Sequence, residues 1–222
     1  MNVEVVGASL FGANCYVIWP EGASQALVVD PGPGTAEAVA KVCDAKGLDV
    51  GAVVLTHGHI DHVWEAARVA GSDVPVLISG PDLFWLDDPG ALLGYDSASF
   101  GLGPWERPAL IEEISSLTFE PVEGIALRMV PTPGHSPGSA IFLFAGGRDD
   151  PPMALSGDVV FAGSVGRTDL PGGDEQEMRE SLRTLADALD PVTVLLPGHG
   201  PTTSWQRELD SNPFVRRART RR

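Results

Sequence analysis

Apolar residues recur along the first half of the chain with two different periods, one of two residues, typical of strands, and one of about 3.6 residues, typical of helices. Short apolar runs with strand character each end at a turn or polar residue, and the third ends in a Pro-Gly step after Asp30. Thr35 begins a helix that carries Val39 on its apolar face and ends at Gly47, and a second helix is predicted over 61–70. The predicted strands of this half are 3–7, 15–19, 26–30, 51–56 and 74–79.

The second half repeats this organisation in outline. Its predicted strands are 125–130, 140–145, 153–161 and 192–198. The clearest helix covers 174–189, where Asp174 and Glu177 form a capping-box pattern ahead of an apolar stripe. Two similar sets of strands with flanking helices predict an α/β chain of two sheets packed face to face, with helices outside. Because no low-complexity linker divides the chain, we expect one domain over 1–210.

Residues 80–121 interrupt the alternation of strands and helices. The segment is rich in glycine, proline and aromatic residues, and its periodicity is weak. A long irregular segment in a compact domain is usually functional or disordered, and the aromatic content makes disorder the poorer explanation. We expect the segment, including Tyr95, to form a wall of a substrate site, with packing under a long loop as the equal alternative.

Composition and charge exclude several classes of protein. Hydrophobic residues make up 43% of the 222 positions, and no apolar run approaches the length needed to cross a bilayer. The net charge of −15 disfavours nucleic acid as a partner. The N-terminus lacks the pattern of a secretory signal, and Cys15 and Cys43 read as core residues of a reducing compartment. We therefore expect a cytoplasmic protein that binds neither nucleic acid nor membranes.

The basic residues are concentrated at the C-terminus. Five arginines and no acid occur between 216 and 222. Binding of an acidic surface by this segment is one interpretation. A solvated, frayed end is the simpler one, so we predict a short Arg-rich tail over 211–222.

The five histidines of the chain all occur in turns that follow apolar runs. Three lie within THGHIDH (56–62), and the other two follow Pro-Gly steps in VPTPGH and VLLPGH, while an aspartate holds the equivalent place in ALSGD. Ligands of α/β sheets gather at the carboxyl ends of strands, so these turns converge on one cleft. Imidazole and carboxylate together suit zinc, manganese or iron, and seven such side chains exceed what one tetrahedral ion uses. The seven candidate ligands are His57, His59, Asp61, His62, His135, Asp158 and His199.

THGHIDH, followed in order by His135, Asp158 and His199, resembles the H-x-H-x-D-H signature of the metallo-β-lactamase-fold hydrolases. The resemblance extends over nearly the whole chain. It implies an αβ/βα four-layer sandwich, in which two mixed sheets lie face to face, with the site at the edge of the sheets. Carried over by position, it implies a first metal on His57, His59 and His135. A second metal falls to Asp61, His62 and His199, with Asp158 bridging both.

Residues outside the signature add detail to this resemblance. Asp30 matches an aspartate that supports the metal-binding loop, although a turn-forming role explains it equally well. VGRTDLPGGD (165–174) and SNPF (211–214) resemble the compact, single-domain glyoxalase II-like hydrolases. Arg167 and Asp169 read as an ion pair that supports the Asp158 loop, ahead of a contact to substrate. Only 23 residues follow His199, where glyoxalase II carries the helical extension that recognises glutathione, so we expect no thiol-binding residues to carry over from this resemblance.

The expected reaction is hydrolysis of a small-molecule thioester of the S-2-hydroxyacylthiol type by a hydroxide that bridges two divalent metals, zinc first, with iron or manganese as alternatives. Asp61 would hold and orient the proton of this hydroxide. One alternative is a persulfide dioxygenase-like oxidoreductase with a single iron, since such enzymes share the fold and a GRTD-like motif. Another metallo-hydrolase, such as a lactonase, and a metal-binding scaffold without turnover are lesser alternatives. The oligomeric state is not visible in the sequence.

Overall fold

A computed structural model describes residues 1–94, 96–147 and 150–220. Over these residues the chain forms two six-stranded sheets and one small two-stranded sheet. The first sheet holds its strands in chain order, and the strands from β3 to β6 run parallel to one another. These strands are β1 (Asn2–Gly7), β2 (Asn14–Trp19), β3 (Gln25–Val29), β4 (Asp49–Val54), β5 (Val76–Ile78) and β6 (Ile111–Glu113).

The second sheet has the order β14-β13-β10-β9-β8-β7 and is antiparallel except between β10 and β13. Its strands are β7 (Thr118–Val122), β8 (Ile125–Pro131), β9 (Ala140–Phe144), β10 (Met153–Gly157), β13 (Val194–Pro197) and β14 (Thr203–Ser204). The two-stranded sheet pairs β11 (Val160–Phe161) with β12 (Ser164–Val165). The strand predicted over 153–161 is therefore divided at Asp158, which lies in the turn between β10 and β11.

Helices cover the outer faces of both sheets. Two of them follow the loop of the histidine signature (55–59), where a single helix was predicted over 61–70, and two lie in the C-terminal part of the chain. The α-helices are α1 (Ala36–Lys46), α2 (Ile60–Val63), α3 (Ala66–Ala70), α4 (Pro89–Leu92), α5 (Glu175–Ala188), α6 (Trp205–Ser211) and α7 (Pro213–Thr220). No helix in the described part of the chain is long and apolar enough to cross a membrane.

Alternation along each strand divides the core into three layers of apolar side chains. In β2, Tyr16 and Ile18 face the space between the two sheets, while Cys15 and Val17 face the helices α1 and α3. In β9, Phe142 belongs to the layer between the sheets, and its neighbour Ile141 packs toward α5. Strands that are buried on both faces require a layer on each side. The predicted αβ/βα four-layer sandwich is thereby confirmed.

The irregular segment is more ordered than its sequence pattern predicts. It contains two 3₁₀ helices, Gly80–Leu86 and Ser97–Phe100, between which α4 lies, and it ends at β6 and β7. Trp85 is fully buried beneath it. Packing under a long loop therefore explains one of the aromatic residues, while Tyr95 lies outside the described residues.

The prediction of a frayed C-terminus is wrong for residues 213–220. These residues form α7, whose Val215 and Ala218 are buried in the same apolar layer as Leu182 and Leu185 of α5. The Asn212 side chain accepts hydrogen bonds from the backbone N–H groups of Phe214 and Val215 and so begins the helix. Two apolar residues three positions apart were the signal for this helix, and the surrounding arginines concealed it. The domain boundary at 210 stays a prediction.

Candidate metal centre

The loop between β4 and α2 brings four polar side chains to the edge of the first sheet. His57, His59 and His62 are buried, while Asp61 is partly exposed in the first turn of α2. Gly58 permits this loop to pass directly over Trp85, because a Cβ at that position would overlap the indole. Four candidate ligands therefore project from six consecutive positions with little freedom of movement.

Three loops of the second sheet complete the cluster. His135 follows β8, Asp158 follows β10 and His199 follows β13, each beyond the carboxyl end of its strand. A backbone bridge between Ala13 and His199 joins the last of these loops to the first half of the molecule. The structure therefore brings all seven predicted side chains together at one edge of the two sheets.

The seven side chains form two groups that share Asp158. In the three-histidine group, His59 Nδ1 lies 2.9 Å from His135 Nε2, which lies 3.2 Å from His57 Nε2. In the mixed group, His199 Nε2 lies 3.2 Å from Asp61 Oδ2, and His62 completes the set. Asp158 lies between the groups, with Oδ1 3.3 Å from His62 Nε2 and Oδ2 3.6 Å from His135 Nε2.

The hydrogen-bond network fixes the tautomers of three imidazoles. His135 Nδ1 donates to the Arg167 carbonyl at 2.8 Å, and His62 Nδ1 donates to Asp30 at 3.0 Å. Thr56 Oγ1 donates to Asp30 at 2.6 Å, so it accepts from His57 Nδ1 at 3.1 Å. In the neutral imidazoles, which are the form that binds a cation, each Nε2 atom is then the acceptor and points into the cluster.

This donor set fits divalent cations. The Nε2 lone pairs of His57 and His135 face each other at 3.2 Å, an arrangement that is repulsive unless a cation lies between them. Within the described residues, His62 Nε2 and Asp158 Oδ1 are buried without a hydrogen-bond partner. Neutral imidazole and carboxylate oxygen are ligands of zinc, manganese and iron, and no thiolate lies in either group.

The two groups have opposite acid–base character. Burial lowers the pKa of His57 well below its usual value and that of His59 to about 3, so both imidazoles are neutral at physiological pH. Burial also lowers the pKa of His199, but hydrogen bonds to Asp158 and Asp61 outweigh it and raise the pKa to about 9. Cations must therefore displace a proton from the mixed group, whereas His57 and His59 present free lone pairs.

Asp30 supports the loop of the histidine signature by accepting hydrogen bonds from Thr56 and His62. Its Oδ1 accepts from the Thr56 backbone N–H at 2.7 Å, and its Oδ2 accepts from Thr56 Oγ1 and His62 Nδ1. Asp30 also has a positive φ of 52° at the end of β3, a conformation that aspartate tolerates better than most residues. The structure therefore shows both of the roles that the sequence left open, a turn residue and a support for His62.

Asp82 is a buried carboxylate that sequence analysis did not single out. It accepts hydrogen bonds from the backbone N–H of Gly58 at 2.9 Å, from that of Gly138 at 2.6 Å and from Ser136 Oγ at 2.6 Å. Its burial raises its pKa, which these hydrogen bonds oppose. Gly58 separates His57 from His59, and Ser136 follows His135. Asp82 therefore joins the two loops that carry the three-histidine group.

Arg167 and Asp169 form the predicted ion pair. Arg167 Nε and Nη2 lie 2.6 and 2.8 Å from the two oxygens of Asp169, a bidentate geometry, and both side chains are mainly exposed. The contact that reaches the cluster comes from the backbone, since the Arg167 carbonyl accepts from His135. No sequence pattern signals a backbone acceptor of this kind.

A cavity of about 310 Å³ opens onto both groups, through His59 and His135 of the first, Asp61 and His199 of the second, and Asp158. Apart from candidate ligands, its lining is mainly apolar and comes from the β1–β2 loop, the 80–121 segment and the stretch from β11 to 170. The non-ligand lining includes Phe11, Leu93, Phe161, Gly166, Arg167 and Leu170. The predicted contribution of residues 80–121 to a substrate wall thus consists of Leu93 among the described residues.

The sequence model of the metallo-beta-lactamase superfamily matches residues 8–199. The chain therefore belongs to this superfamily of metal-dependent hydrolases, and the resemblance of the histidine signature is confirmed. Its members bind divalent metal ions, and the two side-chain groups described above have the composition that such ions require.

Two relatives share nearly the whole length of the chain. The probable metallo-hydrolase YqgX of Bacillus subtilis is 35% identical over 206 residues, which cover 91% of this chain and 92% of the relative. The hydroxyacylglutathione hydrolase GloC of Haemophilus influenzae is 31% identical over 224 residues, covering 97% and 98%.

Two solved structures are similar over the same extent. The BLEG-1 B3 metallo-beta-lactamase has a TM-score of 0.81 at 29% identity and covers 96% of this chain and 99% of its own. TTHA1623, crystallised in a di-iron-bound form, has a TM-score of 0.77 at 32% identity and covers 96% and 100%. The chain is thus similar to proteins of more than one named activity, so the substrate has to be argued from the site.

Proposed function

We propose that the protein hydrolyses a small-molecule thioester of the S-2-hydroxyacylthiol type and that the seven clustered side chains bind two divalent metals. The observation that carries the proposal is the arrangement of two ligand groups that share Asp158 beside an open cavity. His57, His59 and His135 hold the first metal. Asp61, His62 and His199 hold the second, and Asp158 bridges them. The relative named as a hydroxyacylglutathione hydrolase supports a thioester as the substrate.

Two divalent cations in such a centre supply a water of lowered pKa and a positive charge that polarises a carbonyl oxygen. Asp61 is the residue of this chain that would accept a hydrogen bond from the attacking hydroxide and so hold and orient its proton. Burial raises the pKa of Asp61, but His62 and His199 outweigh it and hold the carboxyl below its usual pKa, so the group is ionised. Its side chain is 18% exposed, on the cavity side of the cluster. Asp61 therefore orients the water as well as binding the second metal.

The lining of the cavity favours a good leaving group. Among the described residues that line it, Arg167 is the one titratable side chain that is not a candidate ligand, and it is paired with Asp169. Arginine keeps its proton, so it does not protonate a departing amine. A thiol of pKa about 8.5 departs as the thiolate without a proton donor. This chemistry suits a thioester better than an amide or a lactam.

The test combines metal analysis with two activity assays. Protein purified without added metal is analysed for zinc, iron and manganese, and each preparation is assayed with S-lactoylglutathione and with glutathione persulfide under oxygen. We expect two metals per chain and release of thiol from the thioester. One iron per chain with oxygen uptake on the persulfide would overturn the proposal in favour of a dioxygenase.

The identity of the metals is part of the proposal. We expect zinc first, because histidine nitrogen and carboxylate oxygen are donors that zinc sites typically use. Iron and manganese fit the same donors, and the similar protein TTHA1623 has been crystallised with two irons. Reconstitution of one chelated preparation with each metal in turn separates the metal that binds from the metal that supports turnover.

A further inference from the structure

The β1–β2 loop places an exposed aromatic ring at the mouth of the metal centre. The base of the loop is closed by a hydrogen bond from Ala8 N–H to the Ala13 carbonyl at 2.7 Å. At its tip, Phe11 and Gly12 have consecutive positive φ angles of 65° and 71°. Glycine adopts this left-handed region freely, whereas a phenylalanine in it is strained. The loop therefore maintains Phe11 in a conformation that its own backbone disfavours.

Burial does not account for this strain. Phe11 is 40% exposed, and its ring contacts Phe100, which is 38% exposed, at a centroid distance of 5.2 Å. An aromatic residue whose backbone is strained and which leaves 40% of its surface in solvent stabilises the fold less than a fully buried one. Its position on the wall of the cavity, beside His199 and Asp61, is the feature that a ligand would use.

The other walls of the cavity are also formed by apolar side chains. Leu93, Phe161 and Leu170 line the cavity from three separate segments, with Phe161 in β11, and the Phe161 ring lies 5.9 Å from that of His199. A cavity of about 310 Å³ with four apolar walls is far larger than the methyl group of a lactoyl thioester requires.

We infer that the substrate is a thioester whose acyl group carries a bulky apolar substituent, an aryl or branched alkyl group that packs against Phe11 and its apolar neighbours. This inference rests on the proposed thioester hydrolysis and narrows its substrate class. The acyl substituent and the thiol sulfur are both bonded to the carbon that is attacked, so both lie beside the cluster. The inference assigns the apolar walls to the acyl substituent, and variation of the thiol at a constant acyl group tests that assignment.

The experiment compares S-mandeloylglutathione with S-lactoylglutathione, which share the thiol and the 2-hydroxyacyl group and differ in a phenyl against a methyl substituent. The ratio of their kcat/KM values is divided by the ratio of their hydroxide-catalysed rates, which removes the difference in intrinsic reactivity. We expect a corrected preference for the mandeloyl thioester of about 10-fold to 100-fold. In Phe11→Ala the preference should fall to within about threefold of unity.

Phe214→Ala is the matched control, since Phe214 is 41% exposed but does not line the cavity, and this variant should retain the preference. A second readout separates recognition from structure. Phe11→Gly removes the backbone strain, so its melting temperature should equal or exceed that of the wild type while the preference is lost. A fall of several degrees in Phe11→Gly would mean that Phe11 serves the fold and would overturn the inference.

The outcomes distinguish failure of this inference from failure of the proposed thioester hydrolysis on which it rests. If neither thioester is cleaved by the metal-loaded protein, the proposed hydrolysis fails and this inference fails with it. If both are cleaved with equal corrected kcat/KM, the hydrolysis stands and the inference alone is overturned. The inference would also be overturned if kcat/KM increased with a bulky apolar thiol at a constant acyl group but not with a bulky apolar acyl group.

Discussion

The three-histidine group and the mixed group differ in exposure, protonation and support, although they share Asp158. His57, His59 and His135 are at most 3% exposed, whereas the side chains of His199 and Asp61 are 27% and 18% exposed. The loops of the first group are joined through the buried carboxylate of Asp82, whereas His62 of the second group is supported by Asp30, and both groups contribute ligands to the cavity wall.

This difference suggests separate tasks for the two groups. His57 and His59 are neutral and pre-formed, so little energy is needed to prepare their group for a cation. The mixed group must release a proton before it binds a metal, and it contains the two most exposed of the seven candidate ligands, His199 and Asp61. We therefore expect the three-histidine group to retain its metal more firmly and the mixed group to control turnover.

Removal of a ligand from the mixed group should have the largest effect on activity. His199→Ala should lower the metal content from two ions to one per chain and reduce thioester turnover by at least about 10³-fold, since a catalytic cation contributes several kcal/mol to the transition state. The fold should survive, because His199 is partly exposed and its backbone contacts remain. Metal analysis, steady-state kinetics and circular dichroism check these outcomes. Near-native turnover with one metal would contradict the two-metal assignment.

Loss of the Asp82 carboxylate should weaken the three-histidine group without removing any ligand. In Asp82→Asn an amide N–H₂ faces donors that need an acceptor, so we expect the affinity for the first metal to fall by about 10-fold to 100-fold. Stability should fall as well, by about 1–3 kcal/mol for each polar group left unpaired. Competition with a chelator at equilibrium measures the first effect, and urea unfolding measures the second.

Glu208→Gln is a matched control for that variant. Glu208 is also fully buried, and it accepts from Gly163 N–H at 2.8 Å, Thr203 Oγ1 at 2.6 Å and Asn212 Nδ2 at 2.8 Å, away from the metal cluster. We expect a comparable loss of stability and an unchanged metal affinity. Equal weakening of metal binding in both variants would show that Asp82 acts only through general stability.

The two groups should also respond differently to pH. The pKa of His199 is raised to about 9 and that of His62 is also raised, so metal binding at pH 7 displaces protons from both, and the affinity of the mixed group should rise at least about tenfold per pH unit between about 7 and 9. The pKa of His59 is lowered to about 3, so this residue releases no proton over that interval. Chelator competition at pH 7.0, 8.0 and 9.0 should therefore show one steep and one shallow dependence. Two equally steep dependences would refute the distinction.

The seven candidate ligands were predictable because they include all five histidines of the chain and because they recur in one local setting, a turn after an apolar run. The alternation of strand and helix patterns was likewise sufficient for the layered architecture. Asp82 was not predictable, since its partners are backbone N–H groups of Gly58 and Gly138, and GPD in sequence reads as an ordinary turn. The strained backbone of Phe11 was not predictable either, because the φ angle at the tip of a loop depends on how the loop closes in three dimensions.

The C-terminal helix was not predicted because its high density of charge was weighed above the spacing of its apolar residues. Five arginines within seven positions indicate a solvated end, yet Val215 and Ala218 are buried against α5. Charged side chains are compatible with a helix whose other face is buried, so charge density alone did not decide the structure.

The smallest expected effect concerns the support of His135 from α5. The Asp174 side chain caps α5 by accepting from Gln176 N–H at 2.7 Å and Glu177 N–H at 2.9 Å, while its own backbone N–H donates to the Gly134 carbonyl at 2.8 Å. Asp174→Ala should lower stability by about 1 kcal/mol, or roughly 2–4 °C in melting temperature. The metal affinity should stay unchanged, because the link to the His135 loop is made by the backbone. Asp174→Asn, which keeps an acceptor oxygen, should be close to wild type in both measurements. Weaker metal binding in Asp174→Ala alone would show that the helix cap, and not only Asp82, maintains the three-histidine group.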